Sequence, residues 1–263
     1  METSRLLATG FFGLHRVYAR VMIISVMKMF DSLQGRKPCL IGYDQLKKYA
    51  VGIPLLMREN RWNILFEVRA KSLRRQPGEI CFPGGRVEEG ESFETAAVRE
   101  ICEELKLNSS DVRVVAPMDV NLSPAGQLVV PFLMELKQYD NTWNEDEVDT
   151  VFCVPMEYFL EHTPSCYKNK IYTEAAEDLP LDKIPGGRNY PWHTGYSDVY
   201  FYDVPNDACM CLSKVPKTGV KSGAAACDGS RNRVIWGLTA RIMQSAAEII
   251  RGGIGNERKE SER

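Results

Sequence analysis

Apolar residues in this chain gather in short blocks divided by polar or glycine-bearing turns. Ala50–Met57 and Asn63–Val68 read as two strands split by the polar turn Arg58–Arg61, with a short helical phrase, Tyr43–Tyr49, ahead of them. Ile80–Phe82 is a further short strand, stopped by Pro83-Gly84-Gly85. Ser92–Leu105 is the clearest helix: at about 100° per residue, Val98, Ile101, Cys102 and Leu105 share one arc fit for packing. Val112–Val115, Gln127–Leu136 and Val148–Pro155 predict strands, with Gly126 at the turn before the second, and Met156–Glu161 a short helix. From Thr163 to about Arg233 the chain turns rich in Gly, Pro, Asn, Asp and Tyr, interrupted by strand-like Asp198–Asp203, and 215–231 reads as a loop tip. Arg233–Arg251 closes as an amphipathic helix. Strands mixed with two dominant helices predict a single α/β or α+β domain.

Composition adds exclusions. Lys+Arg 33 against Asp+Glu 35 leaves a net charge of −2 over 263 residues, so no global field exists to hold nucleic acid or an anionic membrane. Neither partner is expected. The eight cysteines fall at no zinc-finger spacing, and several lie in apolar runs such as Val151-Phe152-Cys153-Val154. They are expected to be reduced, outside any disulfide or metal framework, in the cytoplasm. Residues 1–30 form an apolar, basic tail whose longest uncharged stretch, Leu6–Leu14, is half a membrane span. A mis-assigned start, with Met22, Met27 and Met29 as alternative initiators, is the favoured origin, and an organelle transit peptide the competing one.

On the helix, Glu103 lies about 60° and Glu104 about 40° from Glu100, so three acids share a narrow face. Like charges one turn apart repel by about 0.2–0.5 kcal/mol per pair. Such a face invites a counter-charge, and a hard divalent cation with oxygen ligands answers it. A solvated acidic face is the competing reading. The glycines ahead of the helix let backbone approach a ligand closely.

Gly85, Glu91, Arg99, Glu100, Ile101, Glu103, Glu104 and Leu107 together resemble the Nudix box, with Lys106 standing where that family has Gly. The resemblance implies a Nudix-type α/β/α sandwich with a mixed sheet, hydrolysing a nucleoside diphosphate linked to another group. It implies that Glu100, Glu103, Glu104 and a carbonyl near Gly85 hold Mg²⁺ or Mn²⁺, and that Arg99 and Glu91 brace the Gly84-Gly85 loop against the helix. A carboxylate must accept a proton from the attacking water, and Glu100 and Glu147 are the candidates. A solvated acidic loop competes at Glu147. His15, His162 and His193 all fall outside the box.

Arg69, Lys71, Arg74 and Arg75 lie immediately upstream of Gly78-Glu79-Ile80-Cys81-Phe82-Pro83-Gly84-Gly85. This string resembles the added motif of the coenzyme A diphosphatase branch, departing at Lys71-Ser72. Glu147-Val148, Val151-Phe152, Val154-Pro155 and Ile235–Ala240 are similar to further phrases of that branch. Four cations suit the extra 3′-phosphate of coenzyme A, against a generic solvated basic loop. The expected reaction is metal-dependent cleavage of coenzyme A or its thioesters. ADP-ribose, a nucleotide sugar or a dinucleotide is the alternative substrate, and a non-catalytic binding module the alternative class. The expected organisation is a tail at 1–30, a Nudix domain at 31–251 with an irregular insertion around 163–232, and a solvated end at 252–263, compatible with a homodimer.

Overall fold

The structure is a computed structural model describing residues 31, 33–192, 195–213 and 232–261, with side chains as far as residue 253. The expectations for residues 1–30 and 215–231 concern residues outside those described. Contacts divide the chain into two compact units, Met1–Gln45 and Leu46–Arg263. In the first, the described residues include one turn of 3-10 helix, Tyr43–Gln45. The expected helical phrase ends there because Lys47, Lys48 and Tyr49 already pair with a distant strand. Tertiary pairing overrides the local preference.

In the second unit, β1 (Lys47–Arg58) and β2 (Arg61–Arg69) form a hairpin through Glu59 and Asn60. Both turn residues have positive φ, 49° and 60°, as a two-residue primed turn requires. The short strands β3 (Ile80–Cys81) and β4 (Gly84–Arg86) pair with β2 and β1 respectively. After helix α1 (Phe93–Leu105) come β5 (Val112–Pro117), β6 (Asn121–Leu122), β7 (Gln127–Leu136) and β8 (Val148–Pro155). Helix α2 (Met156–Glu161) and strand β9 (Ser165–Ile171) follow, then β10 (Gly195–Val204), β11 (Met210–Leu212), β12 (Arg233–Trp236) and helix α3 (Gly237–Ser261).

The larger sheet runs β11-β8-β2-β1-β7-β5, with β6 on β7. It is mixed: β1 and β7 are parallel, and the other described pairs are antiparallel. Alternation along β1 and β2 sends Ile53, Ile64 and Phe66 to one face and Ala50, Leu56 and Leu65 to the other. The second face buries Ala96, Ala97, Ile101 and Leu105 of α1. The first buries Phe159 of α2 and Met243, Ala246 and Ala247 of α3. Helices on both faces of one mixed sheet make an α/β/α sandwich.

Two stretches differ from the sequence reading. In 163–232, β9 and β10 pair along their lengths and, with β12, build a second, three-stranded sheet. β9 escapes notice because SCYKNKI is almost wholly exposed and carries no apolar alternation; the backbone ladder alone defines it. Residues 233–236 are strand β12, so α3 begins at Gly237, and it continues past Arg251 to Ser261 against the low helix preference of Gly252, Gly253 and Gly255.

Cys211 is disulfide-bonded, correcting the expectation of reduced cysteines throughout; a disulfide partner is set by the fold and not by spacing. Cys39, Cys81, Cys102, Cys153, Cys166 and Cys209 are free. Among the described residues no helix is long and apolar enough to cross a membrane.

Candidate active site

Helix α1 carries its three acids on a firmly capped frame. Ser92 Oγ accepts from Thr95 N at 3.1 Å, the N-cap bond worth about 1 kcal/mol. At the other end Lys106 takes the left-handed conformation, φ 53°, and its N–H closes on Cys102 O. A non-glycine residue there costs about 1–2 kcal/mol, partly offset by the smaller chain entropy that lysine loses on folding. Lys106→Gly is therefore expected to stabilise the protein by about 0.5–1 kcal/mol, read as a higher urea midpoint with unchanged slope. The carbonyls left over at this end are taken by the chain before β8. Thr142 Oγ1 donates to Leu105 O at 2.7 Å, and Asn144 N to Glu104 O at 2.7 Å.

Strand β4 brings Gly84 and Gly85 against Val51 and Ala50 of β1. A Cβ on Gly84 would lie 2.5 Å from Ala50 O and 2.7 Å from Val51 Cα, and one on Gly85 would overlap the Glu100 carboxylate. At Gly84 the obstacle is backbone, and at Gly85 it is the end of a side chain that can move. Arg99 ties loop to helix: its Nε and Nη2 donate to the two Glu91 oxygens at 3.0 and 3.1 Å, and Nη2 also reaches Arg86 O at 3.1 Å. The same guanidinium donates to Glu100 at 2.8 Å and to the mostly exposed Glu103 at 3.4 Å. The fork from Arg99 holds the Glu91 carboxyl below the usual range, helped by a hydrogen bond from Glu88 N.

Three carboxylates lie deeper. Glu104 is 4% exposed and accepts from Gly84 N at 2.9 Å. Burial, and then the charge of Glu67, push its carboxyl well above the normal range. Burial likewise raises that of Glu100, against the pull of Arg99. Glu67 on β2 is wholly buried; Cys81 Sγ donates to its Oε1 at 3.1 Å, while its Oε2 has no hydrogen-bond partner among the described residues. Its carboxyl is pushed up to about 7, chiefly by burial and also by Glu147 and Glu100. The charge of Glu147 acts on Glu67, Glu100 and Glu104, and its backbone carbonyl accepts from Ala70 N at 2.8 Å beside the end of β2.

Hard oxygen donors crowded together, with Arg99 on Glu100 and Glu103 but one buried oxygen of Glu67 orphaned and Glu100 facing a glycine cradle, fit a divalent cation. In this conformation no three His, Cys, Asp or Glu side chains among the described residues meet tightly enough to enclose an ion, and Arg99 holds Glu100 and Glu103.

The basic loop connects β2 to β3. Its base is closed by Arg69 N to Glu79 O, 2.9 Å, and Gly78 N to Arg69 O, 3.0 Å, while Arg69 Nε donates to Arg75 O. Lys71, Arg74 and Arg75 are exposed, and their side chains make no ion pair or hydrogen bond among the described residues. Glu67 is the residue sequence reading missed. Its one signal is a charged side chain inside the apolar run Ile64-Leu65-Phe66-Glu67-Val68.

Residues 46–172 match the family model described as NUDIX domain, and that stretch of the chain is a Nudix domain. The Mus musculus protein named peroxisomal coenzyme A diphosphatase NUDT7 is 38% identical over 134 residues, 50% of this chain and 56% of its own length. Two Caenorhabditis elegans proteins are also similar. Peroxisomal coenzyme A diphosphatase ndx-8 is 32% identical, covering 43% of this chain and 51% of its own, and Nudix hydrolase 3 is 31% identical, covering 51% and 59%. The chain spans a little over half the length of these curated relatives. Among solved structures, a C. elegans Ap4A hydrolase binary complex has a TM-score of 0.37 at 19% identity, over 43% of this chain and 83% of its own; that likeness carries no argument.

Proposed function

We propose that this protein hydrolyses the diphosphate bond of coenzyme A or its thioesters, with water, to adenosine 3′,5′-bisphosphate and 4′-phosphopantetheine or its acyl form. The observation that carries the reading is the pairing of two oppositely charged features at one strand end: the buried carboxylates around Glu104, and the exposed cations on the loop that begins at Ala70. Two of the relatives bear the name coenzyme A diphosphatase.

Glu100, Glu103 and Glu104, with the Gly85 carbonyl, would hold Mg²⁺ or Mn²⁺. When bound, such an ion supplies charge neutralisation at the diphosphate and acidity to the attacking water. Arg99, gripped by Glu91, keeps the Gly84-Gly85 turn and the helix in register, and releases Glu100 and Glu103 from its outer nitrogen when they are needed. Glu100, its carboxyl raised by burial, and Glu147 are the two proton acceptors within the cluster. Arg69, Lys71, Arg74 and Arg75 bind the 3′-phosphate by charge-assisted hydrogen bonds. The substrate is a small molecule, without nucleic acid or membrane.

Coenzyme A, dephospho-coenzyme A and ADP-ribose, assayed side by side with Mg²⁺ and Mn²⁺, test this. Charge-assisted bonds of about 1.5–3 kcal/mol predict that loss of the 3′-phosphate lowers kcat/KM by about 10- to 100-fold. Equal rates on the two coenzymes would remove the basic loop from the reading. A preference for ADP-ribose would change the substrate class.

A further inference from the structure

We propose that Glu67 is a further oxygen donor of the cation site, contributed by the sheet where the box carboxylates come from the helix. The inference rests on the reading of the site as a divalent-metal diphosphatase and adds a ligand from outside the box. Alternation along β2 puts Leu65 on the α1 face, in one core with Ile101 and Leu105. Glu67, two residues on, faces the same way, so it lies under the helix whose Glu104 is itself buried.

The carboxylate there is held at one oxygen only. Cys81 is its register partner on β3, and the thiol donates to Oε1. Oε2 is buried with no donor facing it among the described residues. A purely structural carboxylate would be satisfied, because an unpaired buried charge costs several kcal/mol. The charges acting on Glu67 include two acids, Glu147 and Glu100, against Arg69, and Glu104 feels Glu67 as the strongest of its charged neighbours. Arg69 directs its Nε to Arg75 O. An oxygen pinned at one end, open at the other and surrounded by carboxylates is arranged for a cation shared with Glu104. Cys81 acts as the positioning residue that fixes its rotamer.

The test is Mn²⁺ binding to the full chain without substrate, followed by the electron paramagnetic resonance of free Mn²⁺, together with Tm in EDTA and in saturating Mn²⁺. Glu67→Gln is expected to raise the Mn²⁺ Kd at least tenfold, to raise Tm in EDTA, and to remove most of the Tm gain that Mn²⁺ gives the wild type. Glu67→Asp, which keeps the charge, is expected to lose less affinity; equal losses would assign the effect to packing and overturn the proposal. Wild-type affinity in Glu67→Gln alongside weakened binding in Glu104→Gln would overturn the role of Glu67 and leave the diphosphatase reading standing. Wild-type affinity in both variants would remove the two together.

Discussion

Glu104→Gln is expected to lower kcat on coenzyme A by about 10³-fold at saturating metal, with the fold intact. A divalent ion contributes several kcal/mol at the reacting phosphate, and each 1.36 kcal/mol is a factor of ten, so losing an anchoring charge moves the rate by about that much. The fold should survive because glutamine keeps the oxygen that accepts from Gly84 N. It also removes a negative charge from a buried site where Glu67, Glu100 and Glu147 already repel it. Turnover is measured with Mg²⁺ and with Mn²⁺, and Tm in EDTA serves as the control for structure. An unchanged kcat would sink the assignment of the box carboxylates.

The adjacent glycines should fail in different ways. At Gly85 an added methyl meets the far end of a flexible side chain, the Glu100 carboxylate. Gly85→Ala should therefore fold, at an overpacking cost of about 1–3 kcal/mol, with Glu100 pushed aside. A displacement of about 1 Å in a reacting constellation costs on the order of 10²-fold, which sets the expected fall in kcat/KM. At Gly84 the same methyl meets Ala50 O and Val51 Cα, backbone atoms that cannot yield without parting β4 from β1. Gly84→Ala is expected to cost about 4 kcal/mol or more and to appear as lost soluble yield. Full activity in Gly85→Ala would place Glu100 outside the chemistry.

The box was legible because its chemistry demands residue types at fixed steps along one helix, and local spacing is what a sequence displays. The sheet's inner strands were legible for a similar reason: buried on both faces, β7 and β8 are near-continuous apolar runs. Glu67 was not, since a charged residue in a strand ordinarily faces water, and only the arrival of α1 over that face buries it. β9 was missed because a strand bearing Lys168, Asn169 and Lys170 is defined by its partner β10. Glu147 stood between two readings in the sequence. Two hydrogen bonds to the carbonyl end of α1 and one from Ala70 N draw its loop to the cluster, and none of those contacts is local.

The hydroxyl of Thr239 donates to Ile80 O at 3.2 Å, joining residues 159 apart in sequence. Ile80 begins the short strand that leads into the glycine turn, so the last helix latches the floor of the site. On the ribosome every box residue emerges long before that latch, while the sheet face under Phe66 and Phe152 waits for Ile235, Met243 and Ala247 to cover it. Assembly is therefore late and non-local, a topology that folds slowly. A product released at residue 172 would carry the whole matched stretch without the Thr239 latch on Ile80.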